Sequence, residues 1–257
     1  MTRQTLGSAG LAEAMRALLL MRIRELSTGA SLTRLAVSFA IALAILWMVI
    51  RPGDTERFWW VAISVFALKF LPVYCLTKGG ETLRSELKEG TIEYLWTRQA
   101  SKGSLYLAFY ASSLLQVMVQ VAGFLLALSL VAFARGVAVD FLDLSLLWVC
   151  GLGAAFAFTA IAIGVGAFSA KYVVFGLFYF SFVELGLGAL PTGARGLAVS
   201  AHVKDVLTPV SYSELSAAFG ALGGSLLAMA IISAVALLLG AFVFLRSVYS
   251  VGGDKEG

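Results

Sequence analysis

Long apolar runs alternate with short polar connections along the whole chain. The runs are bounded by charged residues or by glycine and proline. A helix needs about 20 mostly apolar residues to cross the hydrocarbon core of a bilayer, and each run is close to that length or longer. We therefore predict six membrane-spanning helices, called the first to sixth spans, at residues 32–50, 58–77, 106–134, 144–169, 172–190 and 218–245.

The composition supports an all-α membrane protein. Hydrophobic residues make up 60% of the 257 residues and charged residues only 13%, whereas soluble domains carry about 25% charged residues. The polar connections are too short to bury a hydrophobic core of their own. Residues 1–257 are therefore predicted to form a single transmembrane domain.

The lysine and arginine residues predict which side of the membrane each connection faces. If the N-terminus is cytoplasmic, thirteen of the 19 basic residues lie on the cytoplasmic side, five lie on the opposite side and Lys69 lies within the second span. Cytoplasmic connections of membrane proteins carry an excess of Lys and Arg. Both termini are therefore predicted to be cytoplasmic, in a multi-pass protein of the cytoplasmic (inner) membrane.

Residues 8–27, before the first span, are rich in good helix formers. The charges of Glu13, Arg16 and Arg24 fall on one arc of a helical wheel, which predicts a helix lying at the cytoplasmic interface of the membrane. A cytoplasmic extension of the first span is the alternative.

Residues 191–217 form the longest connection predicted on the opposite, extracytoplasmic side. Two prolines and two glycines interrupt it, but the stretch LAVSAHVKDVL, residues 197–207, predicts a short surface helix. This stretch contains His202, the only histidine in the sequence. No second ligand lies beside it, so we expect a solvated side chain and no metal site.

The connection between the second and third spans, residues 78–104, carries an unusual density of charge. The sequence SELKEGTIEYLW places Glu86, Lys88, Glu89 and Glu93 within eight positions. Each charge would cost roughly 2.5–3.5 kcal/mol near the centre of a bilayer, so the stretch must lie outside the hydrocarbon.

The residues around Gly90 predict a helix, a break and a second helix. Gly90 is suited to ending the first helix, and the Thr91 hydroxyl is suited to capping the next. The exposed aromatic residues Tyr94 and Trp96 indicate a docking surface for another protein. A solvated loop with incidental charges is the alternative.

Residues 86–102, ELKEGTIEYLWTRQASK, resemble the cytoplasmic signature of ABC type-2 transporter permeases. The matching positions are Glu86, Glu89, Gly90, Thr91, Glu93, Leu95 and Ser101. Gln99 stands where the family usually has proline, which loosens the expected turn before the third span. The six-span layout, the interfacial N-terminal helix and the broken connection before the last span are also similar to the family.

The resemblance implies that this segment is a coupling helix that docks on a separately encoded ABC ATPase subunit. ATP and magnesium would bind to that partner, and two permease subunits, identical or paralogous, would pair in the lipid bilayer to form an exporter. The docking residues implied are Glu86, Glu89, Gly90, Thr91, Glu93, Tyr94, Leu95 and Trp96.

The sequence contains none of the common motifs for chemistry of its own. It has no phosphate-binding loop, no H-E-x-x-H pair and no G-x-S-x-G motif. Cys75 and Cys150 lack the spacing of a metal site or a disulfide. We therefore expect no enzyme activity, no metal and no cofactor on this chain, and the distributed net charge of +4 gives no indication of nucleic-acid binding.

Lys69 and Glu184 are the ionisable residues predicted within the spans. Such residues are candidates for a translocation path, although snorkelling to opposite surfaces is the alternative. Their predicted depths differ by roughly 10 Å, which argues against a direct ion pair. Pro72, close to Lys69, predicts a kink that would act as a hinge in the second span.

The alternative function is that of a secondary transporter driven by an ion gradient. Such a carrier predicts several intramembrane acids or broken helices near the bilayer midplane. The sequence offers one acid, Glu184, and one proline kink. A membrane-embedded enzyme would need polar catalytic groups clustered at one depth, and the sequence shows none.

Overall fold

The computed structural model describes residues 20, 23–24, 27–89, 102–190, 193–207 and 215–246. Within these ranges the chain is helical and contains no β-strand. The helices long and apolar enough to cross a membrane are Gly29–Val49, Thr55–Lys88, Lys102–Ala134, Phe141–Phe168, Tyr172–Ala189 and Gly220–Arg246. The prediction of an all-α protein with six spans is confirmed. The interfacial helix predicted at 8–27 lies largely outside the described residues.

The second and fifth spans each change helix type along their length. The second begins as the α-helix Thr55–Trp60, continues as the π-helix Val61–Phe70 and ends as the α-helix Leu71–Glu89. The fifth comprises the α-helix Tyr172–Tyr179, the π-helix Phe180–Gly186 and the 3-10 turn Leu187–Ala189. A π-helix is rare and is often found at functional sites.

The π-helix of the second span ends directly before Pro72. Proline lacks an N–H, and its ring clashes with the carbonyl four residues earlier in an α-helix. The Leu71 N–H bonds to the carbonyl of Phe66, five residues back, so the turn that meets Pro72 is wider than an α-turn. Pro72 therefore accounts for the end of this π-helix.

The fourth span is the centre of the bundle, since it is mostly buried and contacts the second, third and sixth spans. Small residues allow these close contacts. A Cβ placed on Gly240 of the sixth span would lie 2.7 Å from the Gly164 Cα atom, and one placed on Gly79 would lie 2.6 Å from the Ala162 Cβ atom. The first and fifth spans lie at the periphery and expose most of their apolar side chains.

Arg135 joins two connections at one end of the bundle, called here the Arg135 end. Its guanidinium lies 3.9 Å from the ring centroid of Trp47 and donates a hydrogen bond to the Trp47 carbonyl at 2.6 Å. Its own carbonyl accepts a hydrogen bond from the Gly53 N–H at 3.0 Å. The connections after the first and third spans are therefore adjacent, as expected for helices that alternate in direction.

Two short helices follow the fifth span. Gly193–Leu197 is a 3-10 helix, and Val199–Leu207, called here the short helix, is an α-helix. The helix predicted within residues 197–207 is thus present. The prediction that it lies on the surface is wrong for most of its residues, because six of the nine are buried against the bundle.

Candidate functional site

The helix of the second span continues without a break into the charged stretch that resembles a permease signature. The α-helix Leu71–Glu89 contains Glu86, which is half-buried, and ends at Glu89. The remaining predicted docking residues lie outside the described residues: Gly90, Thr91, Glu93, Tyr94, Leu95 and Trp96. Their role as a coupling helix stays a prediction.

The charged part of this helix is packed against its own bundle. Leu83 is fully buried in a cluster with aromatic residues of the third span and with Phe244 of the sixth. Leu87, one turn later, packs against the same cluster. These two leucines, which share one face in the sequence, therefore hold the helix in place and leave its other positions to contact a partner.

Arg84 fastens the same helix to the connection between the fourth and fifth spans. Its Nε donates a hydrogen bond of 2.7 Å to the carbonyl of Gly166, near the end of the fourth span. Gly80 lies so close to the ring of Tyr172, at the start of the fifth span, that a side chain on Gly80 would overlap it. Lys78 and Glu81 form an exposed ion pair beside these contacts.

Lys69 lies in the π-helix of the second span and is exposed on the surface of the bundle. It makes no hydrogen bond or ion pair with any described residue. On either side of it, Phe66 and Phe70 stack on Phe124 of the third span, with ring centroids 4.6 and 5.2 Å away. The aromatic contacts fix the π-helix to the third span and leave the ammonium group accessible.

Glu184 lies in the π-helix of the fifth span and is only 4% exposed. Its carboxylate accepts a hydrogen bond of 2.6 Å from the Tyr179 hydroxyl. It also accepts hydrogen bonds from the backbone N–H groups of Val199, at 3.2 Å, and Ser200, at 2.8 Å. The two intramembrane charges are therefore not paired with each other, as the predicted difference in depth implied.

The partners of Glu184 could not be found from the sequence. Tyr179 is five residues before Glu184, a spacing that brings two side chains together in a π-helix and separates them in an α-helix. Val199 and Ser200 contribute backbone groups, which carry no signal of residue type. The one visible signal was the acid itself within an apolar run.

The described residues offer no arrangement suited to a metal ion, since no three His, Cys, Asp or Glu side chains cluster there. Cys75 and Cys150 are both buried and carry free thiols. The His202 Nε2 atom lies 2.9 Å from the Gly196 carbonyl, a contact within the connection before the sixth span.

The sequence matches no protein-family model and none of the curated proteins with which it was compared.

Proposed function

We propose that this chain is the membrane-spanning permease subunit of an ATP-driven exporter of the ABC type-2 class. It would move a substrate across the cytoplasmic membrane with energy from ATP hydrolysis on a separate ATPase subunit. Residues 86–102 support the proposal through their resemblance to the permease signature. The six-helix bundle agrees with it as well.

The observation that carries the proposal is the uninterrupted helix from the apolar part of the second span to the charged stretch. Force applied near Glu86 would reach Gly80 and Arg84 through one continuous α-helix. From there the contacts to Gly166 and Tyr172 lead into the fourth and fifth spans. A docking segment at the end of this helix is thus connected mechanically to the bundle.

In the proposed complex, the end of the bundle that carries Arg84 faces the cytoplasm, with both termini on that side. The ATPase subunit, with its ATP and magnesium, would dock on Glu86, Glu89, Gly90, Thr91, Glu93, Tyr94, Leu95 and Trp96. A second permease copy or paralogue would complete the path in the lipid bilayer. Lys69 and Glu184 are the residues proposed to line that path, and Pro72 is the proposed hinge.

Charge reversal in the docking segment tests the proposal. The chain would be co-expressed with the ABC ATPase encoded beside its gene and purified through a tag on the permease. We expect the ATPase to be retained, and we expect Glu89→Lys and Glu93→Lys to lose it because like charges would then face each other. Glu56→Lys is the matched control, since Glu56 is an exposed acid in the first turn of the second span.

Retention of the ATPase by all three variants would contradict the docking assignment. Failure of the unaltered chain to retain any ABC ATPase would contradict the exporter itself.

A secondary transporter is the second candidate, and one observation favours it. Both intramembrane charges, Lys69 and Glu184, lie in π-helical parts of otherwise α-helical spans, and irregular helices at membrane depth are typical of ion-coupled carriers. Substrate uptake into proteoliposomes that depends on an imposed proton or sodium gradient, with no ATPase present, would support this candidate over the exporter.

A further inference from the structure

The short helix Val199–Leu207 is inserted into the bundle. It contacts the second, fourth and sixth spans, and it also contacts the π-helices of the second and fifth spans. Its buried residues include Val199, Val203, Val206 and Leu207, while Lys204 and Asp205 are exposed. Asp205 forms an ion pair with Arg195 on the exposed side. One apolar face of this helix therefore closes the bundle between the second and fifth spans.

The N-terminus of the short helix meets the carboxylate of Glu184. The first N–H groups of a helix have no partner within the helix. Those of Val199 and Ser200 donate to the two different carboxylate oxygens of Glu184, Oε1 and Oε2. The Ser200 hydroxyl donates a further hydrogen bond, of 3.4 Å, to the backbone carbonyl of Glu184.

The charge of Glu184 suits this position. The N-terminus of a helix carries a partial positive charge, which favours an anion beside it. An ionised carboxylate in an apolar bundle needs several donors to compensate for its lost hydration. Tyr179, Val199 and Ser200 supply three, so that the fifth span and the short helix satisfy each other.

We propose that Glu184 is a positioning residue whose carboxylate anchors the short helix in the bundle, and that release of this contact opens the Arg135 end. The anchoring does not depend on any function of the protein. The opening rests on the proposed transport function, in which the short helix would close the path on the side opposite the ATPase.

Hydrogen–deuterium exchange of the purified full chain tests the anchoring. In Glu184→Gln the side chain keeps one acceptor oxygen and turns an NH2 group toward the second backbone donor, so the Val199 and Ser200 amides lose charge-assisted bonds. We expect these amides to exchange about tenfold faster or more. Glu56→Gln, an exposed acid at the start of the second span, is the matched control and should leave the exchange unchanged.

Tyr179→Phe provides a second variant that keeps the carboxylate and removes one donor. We expect it to accelerate exchange of the same amides by less than Glu184→Gln does, because both backbone bonds remain. If exchange of residues 193–207 in Glu184→Gln and Tyr179→Phe equals that of the unaltered chain, the anchoring is overturned. If Glu184→Gln does not fold, an unchanged exchange in Tyr179→Phe overturns it alone.

A reversible disulfide tests the opening. A Cβ on Gly188, at the end of the fifth span, would lie 3.2 Å from the Cβ of Ala198, next to the short helix, so Gly188→Cys with Ala198→Cys is placed to form a disulfide. In the complex with the ATPase, we expect oxidation to abolish ATP-driven changes in exchange of residues 193–207 and to lower the ATPase rate. Reduction should restore both.

An oxidised complex that keeps the full ATPase rate would overturn the opening and leave the anchoring intact. Absence of any ATPase complex would contradict the proposed function, while the exchange experiment on the single chain would still decide the anchoring.

Discussion

Arg84 of the second span and Gly166 of the fourth are joined by a hydrogen bond from the Arg84 Nε to the Gly166 carbonyl, 2.7 Å long. Arg84 lies two residues before Glu86, where the resemblance to a permease signature begins. Gly166 lies in the last turn of the most buried span. The proposed docking segment and the centre of the bundle are therefore linked by a single contact between side chain and backbone.

Replacing Arg84 with Met should destabilise the bundle at this end. The Gly166 carbonyl would lose a donor that carries a full charge, and we expect unfolding in detergent to be easier by about 1.5–3 kcal/mol. Lys78→Met is the control, because the Lys78–Glu81 pair is exposed and should contribute at most about 1 kcal/mol. Thermal unfolding of both variants compares the two; equal shifts would mean that the Arg84 contact adds no more than a surface ion pair.

The contact between the fourth and sixth spans depends on Gly240. A methyl group there would come within 2.7 Å of the Gly164 Cα atom, so Gly240→Ala must separate the two helices. We expect a loss of about 1–3 kcal/mol in stability. Gly223 on the same helix has no atom within 4 Å of the corresponding position, and Gly223→Ala should be neutral or stabilising. Thermal melting of the pair tests this, and a melting temperature for Gly240→Ala equal to that of Gly223→Ala would refute the close packing.

Gln120 holds the peripheral first span to the third. Its Nε2 donates a hydrogen bond of 2.9 Å to the Ser38 hydroxyl, and bonds of this kind between membrane helices contribute roughly 0.5–2 kcal/mol. Gln120→Met should therefore increase protease cleavage near the first span. Gln116, one turn earlier on the same helix, makes no hydrogen bond with a described residue, so Gln116→Met should leave cleavage unchanged.

Pro72 should control how movement passes along the second span. Pro72→Ala restores an N–H that can bond to the Leu68 carbonyl, which favours α-helix in place of the π-turn that now ends at Phe70. If Pro72 is a hinge, the variant should be expressed normally but should lose coupling between ATP hydrolysis and transport. Pro52→Ala, in the exposed connection after the first span, serves as control. Normal coupling in Pro72→Ala would eliminate the hinge.

The spans could be predicted because membrane insertion acts on stretches of about 20 residues, over which single errors average out. The third span was expected at 106–134 and occupies Lys102–Ala134, and the sixth was expected at 218–245 and occupies the helix Leu215–Arg246. The second helix was expected to leave the membrane near residue 78, and it continues as a regular helix to Glu89. Leu83 and Leu87 explain this extension, because they have an apolar cluster to pack against.

The contacts of the candidate site could not be predicted in the same way. The anchoring of the short helix by Glu184 joins a side chain to backbone groups 15 and 16 residues away, and no residue pattern encodes such a pairing. The short helix was expected on the surface because Lys204, Asp205 and His202 are polar. Its buried face is formed by valines and a leucine at helical spacing, which the sequence alone assigns equally well to lipid, solvent interface or bundle.

Cross-linking from Trp96 tests the central claim most directly. A thiol-specific photoreactive group would be attached to Trp96→Cys in inside-out vesicles that also contain the ABC ATPase encoded beside the gene; the natural thiols of Cys75 and Cys150 are buried. Met48→Cys, on the exposed face of the first span near the Arg135 end, is the control. The proposal predicts a covalent product with the ATPase from Trp96→Cys and none from Met48→Cys, whereas no ATPase product from Trp96→Cys, or equal yields from both positions, would contradict it.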